Sequence, residues 1–168
     1  MAVRTVGSLA LYLNSLSDAA ARIALDRCCG AARWVDGMLA ARPYASDAAV
    51  FEVAERVWWG LAATEWLAAF ARHLRIGEGA GADAWAQREQ AGMAGAPAAT
   101  RAALADGNRD YETRFGHVFL ICATGRSAEE MRRELERRLR NDPAAELRVA
   151  ATEQAKITRL RLEKLVPR

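Results

Sequence analysis

The sequence predicts an all-α fold, a single-domain helical bundle of about eight helices covering residues 5–166. Three observations predict it. Alanine is abundant and only 4 of the 168 residues are proline, a bias that favours helix. Apolar residues recur three and four apart along most of the chain. Residues that cap helices stand where those periodic runs begin and end. With 52% hydrophobic and 27% charged residues, the chain has the balance of a folded domain with a real core and not of a disordered one.

The elements follow in order. A first short helix covers Ser8 to Asn14. Ser17 or Asp18 caps a second, which runs through Ile23, Leu25 and Cys28 and stops at Gly30. Ala31 to Leu39 is a third, with Trp34, Val35 and Met38 on one side, ended by Pro43. Ser46 or Asp47 caps the longest helix, to about Arg72, on the spacing of Val50, Val53, Val57, Leu61 and Leu67. Gly77 to Gly81 is a flexible break, and a helix near Trp85 to Met93 follows it. Pro97 opens another, ended near Gly107. Within Tyr111 to Ala123, the run Val118 to Ile121 has strand composition but no pairing partner, so it reads as a buried helix or an extended core segment. Ser127 and Glu130 form a capping-box pattern opening the next helix. Asn141-Asp142-Pro143 ends that helix and starts the last, which runs to about Leu165.

Composition also excludes function classes. The net charge of +3 suits an anionic small molecule and does not call for nucleic acid. The Arg-rich run from Arg132 to Arg140 is interleaved with Glu134 and Glu136, the pattern of a solvated helix face. Cys28, Cys29 and Cys122 make an odd count, which points to free thiols in a reducing cytoplasm. Two histidines without ligand spacing argue against a metal. The greasy stretch Val57 to Phe70 is interrupted by Glu65 and short for a bilayer, so no membrane is expected. Neither a signal peptide at Met1 to Leu16 nor a peroxisomal tripeptide at the end is visible, which again suggests the cytoplasm.

The chemical candidates are a few polar residues in apolar company, since no phosphate loop, dinucleotide fingerprint or serine elbow occurs. His73 falls at the end of the long helix, where the negative end of the dipole favours a protonated ring; it is either a reactive group or a cap for the last carbonyls. In a helix, Ala86, Glu89 and Gln90 share one face, which either orients a substrate rich in hydrogen-bonding groups or simply meets water. Arg161 lies on the apolar stripe of the last helix with Leu147, Ala150, Ala151, Ile157 and Leu165. A core-facing guanidinium needs an anion, either a structural carboxylate or a bound substrate. Arg159 and Lys164 fall on other faces. Asn108, Tyr111 and His117 read as core hydrogen-bonding groups, and Cys28 and Cys29 as packing residues.

Several segments, in order and spacing, resemble the family of 2-oxo-4-hydroxy-4-carboxy-5-ureidoimidazoline (OHCU) decarboxylases, from about Leu13 to Leu165. They are Leu25-Asp-Arg-Cys-Cys-Gly30 with Ala31-Ala-Arg-Trp34, His73-Leu-Arg-Ile-Gly-Glu78 and Trp85-Ala-Gln-Arg-Glu-Gln90. Asn108-Arg-Asp-Tyr111, Arg114-Phe-Gly-His-Val-Phe-Leu-Ile-Cys122, Lys156-Ile157 and Leu160-Arg-Leu162 complete the set. The resemblance implies an all-helical homodimer that decarboxylates its anionic ureidoimidazoline to (S)-allantoin in urate degradation, with no cofactor. It implies that His73 is the catalytic histidine, acting with Glu89, that Glu89 and Gln90 hold the ureido and ring groups, that Ile121 is a pocket wall and that Arg161 binds substrate. Two substrate-binding positions depart from the family pattern: Leu74 stands where a proline is usual, and Ala86 where a serine is usual. Two alternatives stay open: a diverged member acting on another ureido or carboxylated heterocycle, and a non-catalytic helical binding module.

Overall fold

The computed structural model describes residues 7–78 and 84–166; the expected Gly-rich break falls largely outside them. Nine α-helices and one 3-10 turn, with no strand, account for the regular structure among the described residues. They are α1 (Leu9–Ser15), α2 (Asp18–Cys28), α3 (Ala32–Ala40), α4 (Asp47–Trp59) and α5 (Ala63–Phe70). After α6 (Ala84–Glu89) and the 3-10 turn (Ala91–Met93) come α7 (Ala98–Phe115), α8 (Ala128–Arg138) and α9 (Pro143–Glu163). The all-α expectation is borne out. The chain divides into two compact units, one of residues 1–69 with 155–168, the other of residues 70–154.

In the first unit, serines start three helices. Ser8, Ser17 and Ser46 each accept a backbone N–H from the first turn of α1, α2 and α4. Asp47 does a second job at long range, accepting from the Ser8 hydroxyl at 2.6 Å and the Ala10 N–H at 2.8 Å, so the starts of α1 and α4 are tied together. Those two donors, the Ala10 N–H above all, hold its carboxyl below the usual range. Leu13, Leu25, Trp34, Met38, Val50 and Trp58 form the core, and the Trp34 indole donates to the Ala54 carbonyl at 3.1 Å.

The expected long helix from Ser46 to Arg72 is two helices. The Trp58 carbonyl, which a continuing helix would give to the Ala62 N–H, accepts instead from Leu61 N–H at 3.2 Å and from the Trp66 indole at 3.0 Å. The break rotates the apolar face. Leu67 is exposed, while Trp66, Ala69 and Phe70 are buried. The longest helix is therefore α9, with 21 residues.

In the second unit, α7 does not stop at Gly107. It continues to Phe115 and ends on Gly116, whose φ of 76° is the left-handed cap conformation. Gly107 serves packing instead: a Cβ there would lie 2.6 Å from Leu135 Cδ2, so its absence lets α7 and α8 approach closely. The helix expected to reach Met93 stops at Glu89, because at Gly92 the chain runs against the Arg126 carbonyl, which a Cβ would meet at 1.9 Å. Residues 118–123 form neither helix nor strand, which is the extended core segment of the two expected forms, with Phe119, Leu120 and Ile121 buried. The Ser127 capping box forms as expected.

The solvated-face reading of the Arg-rich run fails at one residue. Arg138 is fully buried. Its guanidinium donates to Glu146 at 2.6–2.7 Å and to the Leu120 carbonyl at 2.7 Å, and lies 4.8 Å over the Phe119 ring. Glu146 also accepts from Tyr111 at 2.5 Å and from Asn141 at 2.8 Å. No described helix is long and apolar enough to cross a membrane.

Candidate functional site

His73 lies just past the end of α5, in a bend, and its N–H closes on the Phe70 carbonyl at 3.0 Å. The ring is half-buried, and Nε2 stands 2.7 Å from Oε1 of Gln154, a fully buried residue of α9. The backbone that follows is held by side chains. Gln90 Oε1 accepts from Gly77 N–H at 3.0 Å and its Nε2 reaches the Arg75 carbonyl at 3.5 Å, while Asn108 Nδ2 donates to the Ile76 carbonyl at 3.2 Å. Arg75 forms a two-pronged pair with Glu112 at 2.5 and 3.0 Å, and its guanidinium draws the Glu112 carboxyl below its usual range. The histidine thus sits on a loop fixed by three neighbouring segments.

The extended segment is fixed in a similar way. Glu153, the neighbour of Gln154 on α9, accepts the Cys122 N–H at 2.8 Å, and Arg138 donates to the Leu120 carbonyl. Ile121 is 2% exposed and its side chain belongs to the core with Ile76, Met93, Tyr111 and Leu135. Glu89 closes α6 and is half-buried, as is Ala86; Gln90 is the residue after the helix, so its amide faces the His73 loop rather than continuing the α6 face. Leu74 is exposed. A cavity of about 350 Å³ is lined in part by the same loop, with Arg75, Ile76, Met93, Arg101, Asn108 and Glu112 around it. The structure therefore brings His73, Gln154, Gln90 and the loop-holding groups together in one unit.

Arg161 belongs to the other unit. It is half-buried, and its Nη1 donates to the Arg27 carbonyl in the last turn of α2 at 3.2 Å. Of the apolar stripe expected beside it, Ala150, Ala151 and Ile157 are buried, while Leu147 and Leu165 are half-buried. Cys28 and Cys29 are buried packing residues, also as expected. Burial pushes the Cys29 thiol up to about 11, against the opposing pull of Arg161, so it stays protonated. Asn108, Tyr111 and His117 take core hydrogen bonds, the last to the Val118 carbonyl at 3.2 Å.

The sequence reading missed Gln154 and Arg138. Gln154 had a signal: it lies four residues after Ala150 and three before Ile157, on the same stripe that drew attention to Arg161. Arg138 had one as well: it lies seven residues after Met131 and three after Leu135, on the apolar face of α8, although the surrounding charges made the run look uniform.

Three comparisons bear on identity. The family model described as OHCU decarboxylase matches residues 14–163. The uric acid degradation bifunctional protein TTL of Arabidopsis thaliana is 37% identical over 146 residues, 82% of this chain and 45% of that protein. A 2-oxo-4-hydroxy-4-carboxy-5-ureidoimidazoline decarboxylase of Bos taurus is 43% identical over 82 residues, 48% of each chain. The chain spans about half the length of the curated relatives it matches. A crystal structure of OHCU decarboxylase in the presence of (S)-allantoin superposes with a TM-score of 0.76 at 35% identity, covering 89% of this chain and 98% of that one. A structure of (S)-allantoin synthase, at 15% identity, covering 94% of this chain and 54% of that one with a TM-score of 0.73, shares the fold. With the match running over nearly the whole described chain, this protein belongs to the OHCU decarboxylase family.

Proposed function

We propose that this protein decarboxylates 2-oxo-4-hydroxy-4-carboxy-5-ureidoimidazoline to (S)-allantoin in urate degradation, without a metal or organic cofactor. The observation that carries the reading is His73, whose ring is hydrogen-bonded to a buried amide at 2.7 Å on a loop held by Gln90, Asn108 and the Arg75–Glu112 pair. Membership of the family supports it.

The chemistry needs little else. The substrate carries a carboxylate and a hydroxyl on one ring carbon and a ureido group on the next. As the carbon–carbon bond to the carboxylate breaks, the electron pair moves toward the adjacent ring imine and carbon dioxide leaves. The imine nitrogen takes up a proton from solvent, and the hydroxyl loses its proton to become a carbonyl while the ureido-bearing carbon gains one. His73 moves the proton, a role suited to a side chain that titrates near neutral pH. Glu89 orients the histidine or the ureido nitrogens, Gln90 borders the substrate beside Leu74 and Ala86, and Ile121 backs the pocket wall from the core. Arg161 binds an anionic or carbonyl oxygen; its position in the family motif supports that role. We assign the active form as a cytoplasmic homodimer, again on family resemblance, with residues 5–166 as its domain.

The test uses substrate generated freshly from urate. Optically active allantoin, followed by circular dichroism, accumulates faster with the protein than in its absence. His73→Asn folds normally and loses about 100- to 10,000-fold in turnover, the usual worth of a positioned acid–base group. A trace no faster than spontaneous decay overturns the activity, and a His73→Asn protein with native turnover removes His73 from it.

A further inference from the structure

Gln154 is fully buried, and its Oε1 faces His73 Nε2 at 2.7 Å. Its neighbour Glu153 takes the Cys122 N–H, so two consecutive residues of α9 anchor the His73 loop and the extended segment. The bonds from Gln90 and Asn108 reach only the loop's backbone. The bond from Gln154 reaches the ring itself.

An amide oxygen can only accept, so the nitrogen facing it carries the hydrogen. A neutral imidazole has one N–H and one lone pair, so a hydrogen on Nε2 leaves the lone pair on Nδ1. We infer that Gln154 is the positioning residue of His73: it fixes the ring's orientation and its Nε2–H tautomer, so that the proton moved in the reaction passes through Nδ1. This rests on the reading of His73 as the catalytic histidine. It makes the pair an example of a base oriented by a third group, with a neutral amide in place of the more usual carboxylate. The amide sets the tautomer without burying a negative charge beside the ring.

The chain has two histidines, so a protein labelled with ¹⁵N in its imidazoles gives a simple spectrum, and His73→Asn assigns it. At a pH where the ring is neutral, His73 Nε2 resonates as a pyrrole-type nitrogen and Nδ1 as a pyridine-type nitrogen. Gln154→Leu removes the acceptor while keeping an apolar stem. The tautomers then mix, and kcat falls about 10- to 100-fold while KM changes little, the usual cost of losing a partner that orients a histidine. Gln154→Glu restores an acceptor and no donor. It retains the Nε2–H tautomer and turns over faster than the leucine variant.

A pyrrole-type Nδ1 in the unvaried protein overturns the proposal, because the amide would then be donating. So does a leucine variant that keeps both tautomer and kcat. Failure of the underlying reading looks different. His73→Asn would keep native turnover while the tautomer of the unvaried protein, read without any turnover, would still follow Gln154; in that case the pair is structural and the catalytic inference falls with the reading.

Discussion

A guanidinium without access to water must meet its hydrogen-bonding needs inside the protein, and Arg138 does so with Glu146, the Leu120 carbonyl and the Tyr111 hydroxyl. Removing one side of such a pair leaves a buried charge. Arg138→Met is therefore expected to lose about 3–5 kcal/mol, read from urea unfolding, whereas a joint Arg138→Met and Glu146→Leu replacement recovers much of it. A double variant as unstable as the single one would show that the pair contributes beyond mutual compensation. His117 gives a second residue-scale expectation. Its ring packs among Phe70, Tyr111 and Phe115, and burial lowers its pKa from 6.5. The folded ring stays neutral where the unfolded one is already protonated. Its contribution to stability is thus full above 6.5 and is lost as the pH falls through the lowered value. Between about pH 7.5 and about pH 5, the urea midpoint should fall less for His117→Phe than for the unvaried protein. Parallel slopes would remove His117 as the cause.

At the scale of elements, caps were the most legible feature of the sequence. Ser17, Ser46 and Ser127, expected at helix starts, all cap helices, because a hydroxyl that accepts a first-turn N–H is a purely local arrangement; Ser8, expected inside α1, caps it instead. Interruptions were less legible. The split between α4 and α5 depends on the Trp66 indole claiming the Trp58 carbonyl, a contact that periodicity in an unbroken apolar run does not reveal. Glycines misled for a related reason: Gly107 looks like a stop and is a point of close approach between helices. Two substitutions separate the kinds of approach. Gly92→Ala meets a backbone carbonyl and should cost about 1–3 kcal/mol or more. Gly107→Ala meets only the tip of Leu135, and the better helix propensity offsets part of the strain, so its thermal midpoint should drop less. The reverse order would mean that the 3-10 turn yields more readily than the α7–α8 contact.

At the scale of the molecule, the fold class followed from composition and spacing, while the site did not. His73, Glu89 and Arg161 each have an ordinary structural explanation when taken singly. They became a set only through the order of the family segments, and the match to residues 14–163 bears that resemblance out. The burial of Gln154 was implicit in the α9 stripe, but its pairing with a residue 81 positions away was not. Assembly is open to direct measurement: a sedimentation mass near twice 18.3 kDa is expected, and a concentration-independent single mass of 18.3 kDa would remove the homodimer from the proposal.

The extended segment has a consequence for how the protein fails. Val118 to Ile121 is a β-prone, uncharged run, yet its backbone is bonded by Arg138 at Leu120 and, just beyond it, by Glu153 at Cys122. These side chains occupy the positions through which a neighbouring molecule would pair with it in a cross-β assembly. The buried arginine therefore acts as a gatekeeper from inside the fold. Lesions that free this segment convert lost stability into aggregation.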